Sequence, residues 1–439
     1  MVGGDELERV GGSRADGPSV PRLDLACDAR IYITDGKNAG GYITDGKEEA
    51  IVAESHTSDG HRILASLFAA DPPAVSHLCV HFPDSEEVEF TYKPAVIFSR
   101  NDLILFDVWF GRKDTSNFFM YKADLEAPSL LQIPDLPELG ISGLYNTGIV
   151  CGGDDDFAVA ALLRDYMTGM FRLSIFDSRT GIWETKLLPL EPSESLRKPN
   201  ELRLHFSKVI SLKGSILGWV DTWRGILLCD VLCDNPKLHY IPMPHPMPGN
   251  EGVAEYCGYS SYFRDAIGYG DLIKLVEMGY LDDDTADTDA SDYYTPYEWT
   301  IATRTRRLDS RKWDICHTVD TKDITVSEEF YGHKDLLPQF CKNRIPSLKK
   351  IPVGVPTLCD CNDAVYLMCK VKIGDYKGWV AYRTSGVKFA TEYVYHVKCD
   401  ESCARRTSLL MDTHFWISKA LVDIPRFLVP IPFCLRLVL

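Results

Sequence analysis

The stretch AVIFSRNDLILFDVWF, residues 95–110, decides the class of fold that this sequence predicts. Two runs rich in β-branched and aromatic residues flank a Ser-Arg-Asn-Asp turn, which is the pattern of a β-hairpin. The same pattern returns in GIVCGGDDDFAVAALL (148–163), VISLKGSILGWVD (209–221) and TLCDCNDAVYLMCKV (357–371). The chain is therefore predicted to fold largely as antiparallel hairpins.

Each hairpin is followed by a further strand, a polar turn and another apolar strand, as in FRLSIFDSRTGIWETKLL (171–188). Units of several antiparallel strands at a loose spacing of about 50 to 75 residues are typical of propeller blades. We therefore predict an all-β fold, a divergent β-propeller-like array of antiparallel blades with few helices. A pair of β-sandwiches is the alternative, since short strands at regular spacing also fit that architecture.

The chain divides into three predicted parts. Residues 1–22 are polar and Gly-rich and are expected to form a flexible tail, 23–398 form the β domain, and 399–439 contain a helix (404–421) and an apolar tail. A second candidate helix is SDGHRILASLFAA (58–70), although it also alternates well enough for a strand.

Composition limits the classes of partner. Of 439 residues, 45% are hydrophobic and 25% charged, and the net charge of −16 repels a phosphate backbone. No nucleic-acid partner is expected. No apolar run reaches the roughly 18 residues of a membrane-spanning helix, and no secretory signal begins the sequence. We therefore expect an intracellular protein, cytoplasmic or nuclear, without a membrane partner.

No cofactor or metal is predicted. The 14 cysteines lack paired CxxC spacing and are expected to be mostly buried, reduced thiols. His77 and His81 fall on the same side of a strand with Cys79, which permits a metal, but no second group of ligands completes a tetrahedral site. The acidic run LDDDTADTDASD (281–292) lacks the glycine and the closing glutamate of an EF-hand. It is interpreted as a solvated loop, with weak cation binding or a basic partner left open.

The stretch GWVDTWRGILLCDV (218–231) places two tryptophans, an aspartate and an arginine beside one turn. As a hairpin, it would bury Trp219, leave Gly225 free to take a positive φ, and leave Arg224 at the surface beside Asp221 or Asp230. As a recognition site, Trp223 and Arg224 would form an exposed pair, because Trp and Arg dominate binding hot spots. The candidate interaction surface predicted from the sequence consists of Asp221, Trp223, Arg224, Asp282, Asp283 and Asp284.

Several segments resemble one known family. They are TSDGHRILASLFAADPPAVSHLCVHFP (57–83), GWVDTWRGILLCDVL (218–232), YFRDAIGYGDLIKLVEM (262–278), EWTIATRTRRLDSRKWDI (298–315) and VPTLCDCNDAVYLMCKV (355–371). With them the chain resembles the plant family called domain of unknown function 1618 (DUF1618), abundant in grasses, most specifically over 218–345. The resemblance implies a lineage and a β fold in the general style of F-box-associated domains, and it supplies no catalytic residues.

The sequence contains no GxSxG elbow, Walker loop, HExxH or GxGxxG motif. Repeated β units without a catalytic constellation favour a non-catalytic protein–protein interaction module or scaffold with an unknown protein partner. Two alternatives stay open. One is a hydrolase-type enzyme whose site is assembled across blades, and the other is a substrate adaptor like F-box-associated domains.

Overall fold

The computed structural model describes the chain in separate ranges. They are 30–33, 51–68, 77–83, 90–110, 115–124, 126–136, 146–152, 156–165, 167–192, 203–255, 260–280, 299–320, 325–326, 341–342, 345–346, 353–358, 364–373, 376–382, 388–389 and 434–438.

The described residues form six four-stranded sheets, numbered here in chain order. Sheet 1 has the spatial order β1-β4-β3-β2 and sheet 2 the order β5-β6-β7-β8. The strands of these two sheets are β1 Arg30–Ile33, β2 Ile51–His56, β3 Arg62–Phe68, β4 His77–His81, β5 Phe90–Arg100, β6 Leu103–Phe110, β7 Thr115–Lys122 and β8 Ser129–Ile133. Neighbouring strands are antiparallel except β1 and β4, which are parallel.

Sheets 3, 4 and 5 are antiparallel meanders in which each strand pairs with the next along the chain. Sheet 3 consists of β9 Thr147–Cys151, β10 Phe157–Arg164, β11 Phe171–Asp177 and β12 Ile182–Leu188. Sheet 4 consists of β13 Lys208–Ser211, β14 Ile216–Asp221, β15 Gly225–Asp230 and β16 His239–Pro242. Sheet 5 consists of β17 Arg264–Tyr269, β18 Leu272–Tyr280, β19 Trp299–Arg307 and β20 Asp314–Asp320.

Sheet 6 contains β24 Val353–Leu358, β25 Ala364–Ile373 and β26 Tyr376–Tyr382, and β28 Cys434–Val438 also pairs with β25. Two smaller sheets pair β21 Thr325–Val326 with β27 Lys388–Phe389, and β22 Cys341–Lys342 with β23 Ile345–Pro346. Within the described ranges, helix is confined to α1 Glu251–Glu255 and a 3-10 turn, Ser260–Tyr262.

The hairpins predicted from sequence are confirmed. The stretch 95–110 is the β5–β6 hairpin, in which Asn101 takes a φ of 53°. Asparagine tolerates this left-handed conformation better than most residues. The predicted helix over 58–70 is wrong, because Ile63, Ala65 and Leu67 are fully buried at every second position of β3. That spacing buries one face of a strand.

Segments predicted at the two ends of the chain are described only in part. Residues 1–22 and the predicted helix 404–421 lie outside the described residues. In the apolar tail, β28 pairs antiparallel with β25, so that Ala364 is opposite Val438. These five tail residues therefore form the edge of a sheet.

Consecutive sheets from sheet 1 to sheet 5 pack face to face, with an apolar core between each pair. On β6, Ile104 and Phe106 belong to the core shared with sheet 1, whereas Leu103 and Leu105 belong to the core shared with sheet 3. On β14, Trp219 faces sheet 3 and Val220 faces sheet 5. Sheets 2, 3 and 4 are thus buried on both faces, an arrangement that a two-sheet sandwich does not have.

The first strands of consecutive sheets also contact one another. Such contacts join β1 to β5, β5 to β9, β9 to β13, β13 to β17 and β17 to β24. Two glycines permit the close approach: a Cβ atom on Gly148 would lie 2.8 Å from Val209 Cγ1, and one on Gly268 would lie 2.1 Å from the Ser211 carbonyl oxygen. The described residues therefore show an all-β series of sheets stacked in chain order, and no closed ring.

Candidate functional site

The end of the β14–β15 hairpin is built around the Asp221 carboxylate, which is 2% exposed. Its Oδ1 accepts the backbone N–H groups of Trp223 and Arg224, each at 3.0 Å. Its Oδ2 accepts the N–H of His205 at 2.9 Å and pairs with Arg224 Nη1 at 3.1 Å. An aspartate that accepts N–H groups two and three residues ahead closes a tight turn. Asp221 therefore fixes this hairpin.

Trp223, predicted as half of an exposed recognition pair, lies inside the protein at 8% exposure. The guanidinium of Arg264 lies over its indole ring, 4.7 Å from the centroid, and the Phe263 ring lies 6.0 Å away. The Arg224 side chain is 28% exposed. Of these two residues only Arg224 reaches the surface, and its role in recognition stays a prediction.

Gly225 is explained by close packing and not by the conformation of its backbone. Its φ is not among the positive glycine values, so Gly225 does not use the left-handed conformation that the sequence left open to it. A Cβ atom at this position would lie 2.3 Å from Tyr240 Cε2 and 2.6 Å from the Ile241 carbonyl oxygen. The Tyr240 hydroxyl donates to the Arg224 carbonyl at 2.7 Å. Gly225 is thus required by the close packing of β16 against the turn.

A buried charge cluster lies beneath this hairpin, on sheet 5. The Glu277 side chain is fully buried, and its Oε2 pairs with Arg264 Nη2 at 2.8 Å and with Arg304 Nη1 at 3.1 Å. Arg264 also donates to the carbonyls of Thr222 at 3.0 Å and Pro244 at 3.2 Å. Burial lowers the pKa of Arg264, and Glu277 opposes that shift. The cluster ties sheet 5 to the hairpin end of sheet 4.

The other Glu277 oxygen holds the segment that leads from sheet 4 into sheet 5. Oε1 accepts the N–H of Met247 at 2.7 Å and the amide of Asn250 at 3.0 Å. Asn250 also donates to the Met278 carbonyl at 2.9 Å. These contacts position the backbone and the neighbouring strands, so the arrangement acts as a structural clamp.

Buried carboxylates recur at the same place in three sheets. Asp107 on β6, Asp221 on β14 and Glu277 on β18 all lie on the second strand and accept an N–H from the chain that enters or forms the first strand. Asp107 is 3% exposed, accepts from Ala95 at 3.0 Å and from the Trp109 indole, and burial raises its pKa to about 6. These positions form a structural repeat.

Sequence reasoning missed this repeat, although a signal was available. The pattern Asp-x-Trp occurs at Asp107 to Trp109 and again at Asp221 to Trp223, each time near the end of the second strand. In the first copy the indole donates to the aspartate, and in the second the tryptophan backbone does. In sheet 5 glutamate replaces the aspartate and the tryptophan is absent, which hides the repeat.

Ionisable side chains on the first strands hold neighbouring sheets together. Asp265 of β17 pairs with Lys208 of β13 at 2.8 Å and accepts the N–H of Leu358 of β24 at 2.9 Å, so it links sheets 4, 5 and 6. Arg100, at the end of β5, donates to the carbonyls of Ile149 at 3.3 Å and Leu212 at 3.4 Å. It links sheets 2, 3 and 4.

The other residues singled out in the sequence are acidic residues, histidines and cysteines. Asp282, Asp283 and Asp284 lie outside the described residues. Among the described residues, no group of three or more His, Cys, Asp or Glu side chains could hold a metal. His81 is buried, and burial lowers its pKa. Cys79 and Cys229 are buried free thiols, and burial raises the pKa of Cys79 to about 11, whereas Cys151 and Cys233 are half-buried and Cys316 is exposed.

A small crevice lies between sheets 2 and 3. It is apolar except for the Thr147 hydroxyl and the edge of Trp183, whose indole donates to the Pro134 carbonyl at 2.7 Å. Its lining residues are Leu105, Phe118, Ile133, Leu136, Thr147, Val159 and Trp183. The crevice offers little for binding a polar ligand.

Exposed aliphatic side chains lie mostly on the outermost strands of four sheets. Val52 on β2 is 47% exposed, Leu131 on β8 43%, Ile182 on β12 63% and Ile315 on β20 67%. These strands pair on one side only among the described residues. The outer edges of four sheets therefore combine apolar side chains with backbone groups that no described strand occupies.

The hairpin end and the charge cluster lie in a segment with a recognisable family pattern. Residues 219–366 match the family model described as "Protein of unknown function (DUF1618)". This match supports the DUF1618 resemblance. It covers Asp221, Trp223, Arg264, Glu277 and Arg304, so the DUF1618 pattern includes the contacts between sheets 4 and 5. No curated protein matched the sequence.

Similarity to solved structures is remote. The tricorn protease is 12% identical, with 77% of this chain and 30% of that chain covered and a TM-score of 0.23. An α-L-arabinofuranosidase from Fusarium graminearum, in complex with an iminosugar inhibitor, is 10% identical, with 81% and 66% covered and a TM-score of 0.16. This chain spans less than a third of the first and just under two thirds of the second. At such TM-scores neither likeness carries an argument about this chain.

No helix in the described ranges has the length and apolar character needed to cross a membrane.

Proposed function

We propose that this chain is an intracellular plant protein that works as a protein–protein interaction module, built on a divergent propeller-like scaffold and without catalytic activity of its own. The observation that carries the proposal is the set of exposed aliphatic side chains on outermost strands, above all Ile315 on β20 and Ile182 on β12. Their position beside strand edges that pair with no other described strand suits a partner that binds in an extended conformation.

An exposed strand edge with apolar side chains invites pairing with another chain, and proteins normally blunt such edges with charges, prolines or bulges. Adding a strand to a free edge is also a common way of recognising a peptide, because backbone hydrogen bonds give affinity and side-chain contacts give specificity. An edge that keeps exposed aliphatic residues is therefore a candidate binding surface.

Strand β20 fits this description best. Its first five residues, 314–318, are all exposed, so both of its faces are open. It pairs antiparallel with β19, and Ile315 lies opposite Arg304. We propose that an extended segment of a protein partner pairs with the edge of β20 that no described strand occupies, and covers Ile315.

The propeller-like scaffold is supported by three features. Sheets 2 to 4 are buried on both faces, first strands contact one another in chain order, and Gly148 and Gly268 allow those strands to approach closely. Radially arranged blades narrow toward their first strands, which gives small residues a reason to lie there. Outermost strands then lie at the rim, where partners can reach them.

A hydrolase would need ionisable side chains that converge and remain available for chemistry. On the described first strands, Lys208 and Asp265 pair with each other, and Asp265 also binds the backbone of Leu358. These groups stabilise sheet contacts, which favours a scaffold over an enzyme. An adaptor role like that of F-box-associated domains is a narrower form of the same interaction proposal.

Site-specific cross-linking tests the proposal. A photo-reactive amino acid placed at Ile315 or Ile182 of the full chain is expected to capture one shared protein in cells. The matched control places it at Leu232, which is 49% exposed but follows β15 of sheet 4 and lies on no outermost strand. The captured protein, once purified, should bind the wild-type chain directly. Capture at all three positions alike, or substrate turnover by the purified chain, would refute the proposal.

A further inference from the structure

Three arginines of sheet 5 lie on the face that packs against sheet 4. Arg264 pairs with Glu277 across β17 and β18, and Glu277 pairs with Ala302 on β19. Arg304 and Arg306 follow Ala302 at alternate positions, so they share its face. Ile273 and Leu275, directly opposite Arg306 and Arg304 on β18, belong to the apolar core between sheets 4 and 5.

Among the described residues, one carboxylate serves this row of three guanidinium groups. Glu277 pairs with Arg264 and Arg304. Arg306 is 8% exposed, and among the described residues it has neither a carboxylate partner nor an acceptor for its buried Nε. Burial lowers the pKa of Arg306 without an opposing contribution from a nearby acid.

A buried N–H donor without an acceptor is unfavourable, and the arginine that carries it keeps its proton and its charge in proteins. Among the residues that the structure describes, the buried Nε of Arg306 lacks such an acceptor. The row is also reachable from solvent at this end, since the Arg304 side chain is 13% exposed whereas those of Arg264 and Glu277 are fully buried.

We propose that Arg306, together with Arg304, binds an oxyanion at the junction of sheets 4 and 5. The guanidinium fork presents two parallel N–H donors, which match the two oxygens of a carboxylate or of a phosphate group. The ligand is thus a carboxylate or phosphate oxyanion, either free or carried by an acidic peptide segment.

The neighbouring Arg307 provides a matched comparison. It is the next residue on β19, its side chain is 58% exposed, and it pairs with Asp271 and Asp309. The two arginines thus share a strand and differ in burial and in possession of an acidic partner. The substitutions Arg306→Met and Arg307→Met remove the same charge from the same strand.

The experiment measures thermal unfolding of the full chain at constant ionic strength, with sodium phosphate in one arm and an acetylated tri-aspartate peptide in the other. Wild type is expected to show a saturable rise in Tm, because a ligand that binds only the folded state stabilises it. Arg307→Met should respond like wild type, whereas Arg306→Met should require at least about tenfold more anion. A response to phosphate alone identifies a free oxyanion, and a response to the peptide alone identifies an acidic segment.

Arg306→Met also separates this proposal from a purely structural role. Without added anion, the variant should fold and have a Tm at least equal to that of wild type, because a buried donor without an acceptor has been replaced by an apolar side chain of similar length. The proposal is overturned if wild type responds to neither probe, if Arg306→Met responds as wild type does, or if Arg306→Met is unfolded or has a lower Tm without anion.

Discussion

Arg264 of β17 lies with its guanidinium carbon 4.7 Å from the centre of the Trp223 ring, at the turn of the β14–β15 hairpin. This contact joins sheets 4 and 5, and both residues are buried. Stacking of a desolvated guanidinium on an indole adds about 2 kcal/mol to the gain from burial. Trp223 therefore stabilises the scaffold from within.

Trp223→Ala is expected to reduce the free energy of unfolding by about 3–5 kcal/mol, as for other buried aromatic residues cut back to alanine. Urea unfolding of the purified wild type and variant measures this change in the free energy of unfolding. If Trp223 were instead a recognition residue, the variant would keep its stability and lose only partner binding.

Glu277→Ala should be strongly destabilising, by about 3–5 kcal/mol, because it leaves Arg264 and Arg304 without their shared counter-charge. The same unfolding measurement on Glu184→Ala, an exposed position on β12, provides the control and should change stability by less than about 0.5 kcal/mol. Equal effects of the two substitutions would show that the buried Glu277 stabilises the fold no more than the exposed Glu184 does.

Gly225→Ala should lower stability by about 2–3 kcal/mol, since its Cβ would collide with the Tyr240 ring and the Ile241 carbonyl oxygen. Gly252 in α1 is the matched control, because no heavy atom lies within 4 Å of an added Cβ there. Gly252→Ala is expected to be neutral or slightly stabilising, since alanine favours a helix. Thermal unfolding measures the stability of both variants. A Gly225→Ala variant as stable as wild type would contradict the close packing of Tyr240 against Gly225.

Asp107 should make stability depend on pH. Burial raises its folded pKa to about 6 from 3.8, so the folded state holds the proton more tightly than the unfolded state does. Stability contributed at this site is therefore complete below pH about 4 and falls as the pH rises to about 6. With 1.36 kcal/mol per pH unit, the loss is roughly 2–4 kcal/mol.

The pH effect is measured as the difference in unfolding free energy between wild type and Asp107→Asn at pH 5 and at pH 7. Other titrating groups are common to both proteins and cancel in this difference. Wild type should lose stability relative to Asp107→Asn over this interval, and a difference that does not change with pH would show that Asp107 is not perturbed in this way.

The all-β class and the positions of the hairpins could be read from the sequence because each depends on a local pattern. Alternating apolar residues around the turn at Asn101 define a hairpin wherever they occur. The strand at Arg62–Phe68 was mistaken for a possible helix because its short run of alternating residues also contains apolar residues at helical spacing. This segment is a strand because it pairs with β2 on one side and with β4 on the other. Such pairing cannot be read from the sequence of the segment itself.

The site was harder to predict, because its contacts link residues that are far apart along the chain. Trp223 and Arg224 suggest a surface pair when read alone, and only the approach of Arg264 shows why the tryptophan is buried. Gly225 suggested a turn conformation, whereas the reason for it is Tyr240, 15 residues later on β16. The arginine row of sheet 5 likewise depends on strand register, which sets Arg306 opposite Ile273.

The most direct test of the interaction proposal compares binding of the cross-linked partner to wild type, Ile315→Lys and Leu232→Lys by titration calorimetry. Ile315 is 67% exposed, so a lysine there should leave the fold intact while placing a charge on the apolar edge of β20. The account predicts at least about tenfold weaker binding for Ile315→Lys and unchanged binding for Leu232→Lys. Equal affinity for all three proteins would contradict it.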